Sequence, residues 1–317
     1  MSVALVCASH SPLMYCYARA PACHAATEQL FADRAREIRD FAPEFVFIFG
    51  SDHFNGFFLE LMPPFCAGLA CSAVRDIGGF AGSLKVPADE ALACIGHVRD
   101  TGIDLAVSYR MTVDHGFSQT MMRVLGALDA YPAIPIFVNG MAPPYVPFKR
   151  SRLLGEAVGR FAAGLDKRVL FLASGGMSHN PLRYYPKYGT GGDDVSGYQL
   201  AGGHGTGFTS EQWLERLELM HREGAQMLVD GTRTRADLKL NPEVDLEFLD
   251  TLSRGELQRF DALDPKWMVE HAGIGSLELH TWVAAAAAHQ AAGGAPPTVD
   301  IYAEALEYGI AFGMAHA

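Results

Sequence analysis

The sequence lacks the marks of a nucleic-acid binder, a membrane protein or a disulfide-built secreted domain. Lys and Arg number 25 against 36 Asp and Glu, a formal net charge of -11. The basic surface that phosphate binding requires is therefore missing. No run approaches the ~18 consecutive apolar residues of a membrane span. The alanine run at 284–288, bounded by Val283 and His289, suits a packed helix. Apolar residues 1–8 carry no basic flank and lead into Ser9-His10-Ser11-Pro12, which reads as a buried first strand rather than a leader. The 6 cysteines lie in the first third of the chain and form no Cys-x-x-Cys pair, as expected of reduced thiols in a cytoplasmic protein. There is no His-Glu-x-x-His and no Cys/His zinc spacing. No internal repeat or linker divides the chain, so residues 1–317 are read as one domain.

What is present is an ordinary globular balance, with 49% hydrophobic and 19% charged residues. Runs rich in β-branched and aromatic residues at 3–8, 45–49, 105–108, 134–139 and 169–174 read as strands buried on both faces. Stretches 25–41, 88–99, 118–128 and 153–165 read as helices, Ser118 serving as a cap and Pro43 closing the first. Alternating strands and helices imply an α/β fold, a central mixed sheet flanked by helices. After Ser174 the pattern changes. Residues 189–207 form a glycine-dense loop, mobile or a lid, and 210–229, 242–253 and 276–290 read as a helical C-terminal part. A last strand is expected at 308–314.

Open α/β sheets bind ligands beyond the carboxyl ends of their strands. Four of the 12 histidines follow such ends: His10, His53, His115 and His179. One loop histidine is ordinarily a solvated side chain, but four at equivalent topological positions suggest a common purpose. Neutral imidazole is a frequent ligand for iron or zinc, and two histidines with one carboxylate make a facial triad that leaves positions open. Spacing leaves Glu278, Glu270, Asp52 and Asp114 as possible carboxylates. Glu278 and His280, two apart, lie ~200° apart on a helix and cannot face one metal together.

The elements Ala8-Ser9-His10-Ser11-Pro12, Gly50-Ser51-Asp52-His53, Val113-Asp114-His115-Gly116, Gly175-Gly176-Met177-Ser178-His179 and Glu278-Leu279-His280-Thr281-Trp282 occur in order along the chain. Each is short; together they make the sequence resemble the class III extradiol dioxygenases, of the protocatechuate 4,5-dioxygenase type, over nearly its whole length. The resemblance implies an iron(II) enzyme that opens a catechol ring with O₂. It implies Fe(2+) on His10, His53 and Glu278, with His115 and His179 as acid–base residues beside the substrate. The chain departs from the family in one place: the glycine before Glu278 is one residue further away, and a shift there would bring in Glu270. Asp114 is expected either to orient an imidazole or to make a structural hydrogen bond within its loop.

Within the family the likeness is greatest to members whose catechol carries a three-carbon carboxylate tail. For that carboxylate the cations Arg183 and Lys187, with Tyr184 beside them, are the expected partners, although a solvated loop explains both cations equally well. The expected partners of the chain are therefore a small catechol and O₂, without nucleic acid or membrane, in a homo-oligomer. Three other readings are compatible with the residues: a dioxygenase for another catechol or an aminophenol, a zinc hydrolase on the same ligands, and a binding protein without chemistry.

Overall fold

The apolar runs form the middle of one mixed sheet. The computed structural model describes residues 2–317, with strands β1 (Ser2–Ala8), β2 (Phe45–Gly50), β3 (Phe65–Gly68), β4 (Cys71–Ala73), β5 (Gly82–Ser83), β6 (Ala106–Ser108), β7 (Met111–Val113), β8 (Ala133–Val138), β9 (Arg168–Ser174), β10 (Thr298–Ala305) and β11 (Ile310–His316). Eight of them pair in the order β10-β11-β1-β9-β2-β8-β3-β6, and β5-β4-β7 make a small second sheet. The helices are α1 (His24–Phe41), α2 (Ala88–Asp100), α3 (His115–Leu125), α4 (Phe148–Ala163), α5 (Asp193–Ala201), α6 (Ser210–Asp230), α7 (Pro242–Ser253), α8 (Pro265–Ala272) and α9 (Leu279–Ala291).

The four central strands β1, β9, β2 and β8 run parallel and are buried on both faces over most of their length, which is why they read as continuous apolar runs. Their register sets up the site. Ala8 pairs with Ser174, and Ser174 with Gly50, so β1, β9 and β2 end level with one another. Three neighbouring strands span only about 10 Å, and the chain beyond each end leads directly to His10, His179 and His53.

Several expectations change. The strand at 105–108 is a half-exposed edge rather than a fully buried one. It pairs parallel to β3, itself antiparallel to β8, so it points away from the other strand ends. His115 is delivered instead by β7, after the chain has turned back. Helix α3 starts three residues earlier than predicted: Asp114, accepting from the Gly116 N–H, is its cap, while Ser118 is buried and accepts from the Phe80 N–H at 3.1 Å. The glycine-dense segment at 189–207 is not a plain loop. It contains α5, whose Tyr198 stacks on Trp213 of α6 at 4.4 Å between ring centroids. Strand β10 was not foreseen. The 6 cysteines are free, and no helix among the described residues is long and apolar enough to cross a membrane.

The alanine-rich helix α9 lies in the core, every residue from Leu279 to His289 buried. It packs on α4 through small residues. A Cβ on Gly155 or Gly159 would lie 2.0 Å or 2.2 Å from the carbonyl oxygens of Ala284 and Ala288, so only glycine allows the two backbones to approach this closely. At its start, Trp282 Nε1 donates to the Gly175 carbonyl at 2.9 Å and Thr281 Oγ1 to the Ser174 carbonyl at 3.2 Å. These bonds fasten the helix N-terminus, and with it Glu278, to the end of β9.

Candidate active site

Five predicted residues meet in one buried cleft. Its lining includes His10, His53, His115, His179 and Glu278, together with Tyr184, Tyr185, His221, Arg233 and Tyr308. The empty space of the cleft, counted out to where it meets solvent, is about 400 Å³. Glu278 is the hub. Its Oε2 lies 3.5 Å from His10 Nε2, and its Oε1 lies 3.2 Å from His53 Nε2 and 3.7 Å from His179 Nε2. Its Oε2 also accepts from the Gly176 N–H at 2.5 Å. Burial opposes the charge of Glu278, but His10, His179 and His53 overcome it and hold the carboxyl well below its usual range.

Each imidazole is oriented from behind. His10 Nδ1 is bonded to Ser174 Oγ at 2.9 Å, which leaves its Nε2 buried without a hydrogen-bond partner. Burial lowers its pKa to about 3, with Glu278 resisting, so it is neutral. His53 is backed by Asp114, whose carboxylate lies 3.3 Å from Nδ1 and also accepts from the His53 backbone N–H at 2.7 Å. Asp114 therefore does orient an imidazole, but that of His53 rather than of its chain neighbour. Burial works against protonation of His53, and Asp114 and Glu278 together outweigh it and raise its pKa. The turn after His53 is folded by Asp52, which accepts from the N–H groups of Asn55, Gly56 and Phe57. That bonding holds Phe54 at a φ of 61°, a left-handed conformation costing about 1 kcal/mol or more for a side chain of this kind.

His115 stacks on His53 at 4.2 Å between ring centroids, and its Nδ1 is bonded to Asp76. Asp76 also accepts from the His115 backbone N–H at 3.1 Å. Sequence reasoning missed Asp76, which lies between β4 and β5 in a loop without periodicity. His179 donates from Nδ1 to the Met177 carbonyl at 2.8 Å, so its Nε2 carries the lone pair. Burial lowers its pKa, with Glu278 resisting. Its loop is held by Asp245, which accepts from the Ser178 N–H and Oγ at 2.9 Å and 2.5 Å. Gly275 makes room for the ring, since a Cβ there would lie 2.2 Å from His179 Nε2. Gly275→Ala is expected to push the ring aside and reduce turnover by about 100-fold, the order that a 1 Å misplacement brings, while metal content stays unchanged. Steady-state kinetics with metal analysis checks this.

The other possible carboxylates are elsewhere. Glu270 is exposed on α8, and Asp52 faces its own loop. His280 points away from the cleft, stacked on Phe148 and bonded to Ser151 Oγ at 3.0 Å, as its spacing from Glu278 required. Of the tail-binding residues expected, only Tyr184 lines the cleft. Arg183 pairs with Glu223 at 3.0 Å outside it, and Lys187 borders a neighbouring cavity with Phe54, Met141 and Tyr145. The turn at Pro181–Arg183 sends Tyr184 inwards and both cations outwards. None of residues 189–207 lines the cleft, and His204 is exposed.

A divalent ion fits here. Donor atoms on adjacent positions around one ion, each about 2.1 Å from it, lie roughly 3.0–3.4 Å apart. The separations of Glu278 from His10 and His53 are close to this, and the unpartnered His10 Nε2 adds a buried donor in need of a partner. A second donor set, His10, His53 and His115, also clusters within 4.8 Å. The set of His10, His53 and Glu278 has in its favour a carboxylate that would offset part of the ion's charge.

The sequence matches the family described as the catalytic LigB subunit of aromatic ring-opening dioxygenase over residues 4–314. The chain belongs to that family. Relatives agree across nearly the whole length. A Rhodococcus sp protein named 2,3-dihydroxyphenylpropionate/2,3-dihydroxicinnamic acid 1,2-dioxygenase is 43% identical over 317 residues, 100% of this chain and 98% of its own. The protein of the same name from Rhodococcus jostii strain RHA1 is 42% identical over the same share. That of Escherichia coli strain K12 is 41% identical over 293 residues, 92% of this chain and 91% of its own. As a member of the LigB family the chain is an extradiol ring-cleaving dioxygenase, an oxidoreductase that takes a small aromatic substrate and O₂.

Proposed function

We propose that this LigB-family enzyme is iron(II)-dependent and cleaves 2,3-dihydroxyphenylpropionate, 2,3-dihydroxycinnamate or both, next to the diol, to a 2-hydroxy-6-oxo-2,4-dienedioate. The convergence of His10, His53 and Glu278 in a cleft that His115 and His179 also face carries the reading. His10, His53 and Glu278 are the residues that would hold the ion. Bound there, iron(II) supplies a Lewis acid for the diol and the redox centre that lets triplet O₂ react with a closed-shell ring.

The protein's own part is orientation and proton handling. Asp76 fixes the proton of His115 on Nδ1, so Nε2 is the atom available for proton exchange with substrate. His179 offers Nε2 in the same way, its Nδ1 proton held by the Met177 carbonyl. Ring cleavage needs one group that takes a proton from the diol and one that returns a proton to oxygen, and the Nε2 atoms of His115 and His179 are the two positions that can share those tasks. Both imidazoles are buried, His115 at 1% exposed and His179 at 7%. Asp76→Asn should leave metal and KM nearly unchanged and lower kcat by about 100-fold, through loss of the productive tautomer. An unchanged kcat would remove Asp76 from this role.

Residues 1–317 are proposed to act as one cytoplasmic catalytic domain that assembles into a homo-oligomer, an association favoured by Leu219, Leu246 and Trp267, exposed on the C-terminal helices. The test of function is anaerobic loading with Fe(II), then addition of 2,3-dihydroxyphenylpropionate and air, with oxygen uptake and the visible spectrum recorded. Stoichiometric O₂ uptake with a yellow product, absent with Zn(II), supports the proposal. Turnover of a different catechol alone removes the substrate assignment, and none on any catechol despite bound Fe(II) removes the iron chemistry.

A further inference from the structure

Among the described residues, Arg233 is the only Lys or Arg in the lining of the cleft. It follows the left-handed Gly231 that ends α6, and it is 7% exposed. A guanidinium has five N–H donors, and the hydrogen bonds of this one go to neutral oxygens. Nη1 donates to the Tyr184 hydroxyl at 2.8 Å and Nη2 to the Asn180 carbonyl at 3.1 Å. No Asp or Glu among the described residues forms an ion pair with it. Of the two acidic residues nearest in sequence, Asp230 is occupied by the Thr232 N–H and Oγ1 at 3.0 Å and 2.6 Å, and Asp237 by the Thr234 N–H and Oγ1, each at 2.8 Å. Buried arginines are ordinarily paired, because an uncompensated charge away from water is costly. This one is held in place and has donors to spare.

Its surroundings limit what the charge can meet. His221, stacked on Tyr184 at 3.7 Å between ring centroids, is kept neutral by burial, its pKa lowered to about 3. Tyr184, the Asn180 carbonyl and His221 therefore put no charge of their own beside the Arg233 guanidinium. Arg233 also borders a surface groove with Asn180, Arg183, Met227 and Asp237, so it lines both that groove and the cleft that holds the carboxylate–histidine cluster. A catechol whose diol faces that cluster would find in Arg233 the cation of the cleft lining for its side chain.

We infer that Arg233 binds the tail carboxylate of the substrate and so selects acid-tailed catechols over neutral ones. This rests on the proposed ring-cleaving function and assigns the specificity of the same cleft. Arginine suits the task because its planar fork matches both oxygens of a carboxylate.

The experiment compares 2,3-dihydroxyphenylpropionate with 3-propylcatechol, the same ring and three-carbon tail without the acid, on Fe(II)-loaded wild type, Arg233→Met, Arg233→Lys and Lys187→Met. Arg233→Met is expected to lose on the order of 100-fold in kcat/KM for the acid, mostly in KM, as for the loss of a charge-assisted pair. Its kcat/KM for 3-propylcatechol should change by less than about 3-fold on the same scale. Arg233→Lys should retain part of the preference and Lys187→Met all of it. Calorimetric titration with unreactive 3-phenylpropionate gives a readout independent of turnover, and binding should weaken at least about 10-fold in Arg233→Met. An equal loss on both substrates would mean that Arg233 only props Tyr184 and Asn180, and would overturn the inference, as would an unchanged preference. Wild type that cleaves neither catechol would bring down the proposed function and the inference with it.

Discussion

Glu278→Gln should fold, fail to retain a stoichiometric divalent ion, and lose about 10³-fold or more in turnover, because a metal centre contributes several kcal/mol and 1.36 kcal/mol is tenfold. Glutamine keeps the shape and can still accept from the Gly176 N–H, so the change removes little beyond the charge. That charge is the feature on which His10, His53 and His179 converge. Metal analysis after dialysis, with circular dichroism to verify folding, decides the matter. A variant that keeps its metal and its activity would hand the third ligand to His115, whose donor atom also clusters with those of His10 and His53.

The second large effect separates chemistry from metal holding. His115→Gln and His179→Gln should each retain full iron yet lose roughly 10²–10⁴-fold in kcat, the span of acid–base catalysis by one group. The double variant should lose much less than the product of the two, since residues acting as a unit are not additive. Iron content measured beside single-turnover rates reads both quantities. Loss of iron in His115→Gln would contradict the assignment of His10, His53 and Glu278 as the ligand set.

The parts of the site that were legible in the sequence are those tied to strand ends and local spacing. Buried parallel strands appear as unbroken apolar runs, so the ends of β1, β2 and β9 could be read, and with them His10, His53 and His179. The two-residue step between Glu278 and His280 correctly placed them on different sides of a helix. What could not be read depended on direction and long-range pairing. Periodicity does not say which way a strand points, so the edge strand β6 was mistaken for the one that delivers His115. Asp76 lies in a loop whose composition is like that of any turn, and its partner is 39 residues away. Arg233, in Thr232-Arg233-Thr234-Arg235, looks like exposed polar chain; only the docking of α6 turns it inwards. Arg183 and Lys187 were chosen for nearness to His179 along the chain, and nearness along a turn says little about which side chains share a cavity.

The way Glu278 is anchored bears on how the protein is made. Glu278 is 225 residues beyond His53, and it is set in place only when α9 has docked against α4 and the end of β9. During synthesis His10 and His53 leave the ribosome long before that carboxylate exists. On the proposed ligand set, a nascent chain would have no complete metal site until the alanine-rich helix has found its glycine-lined groove.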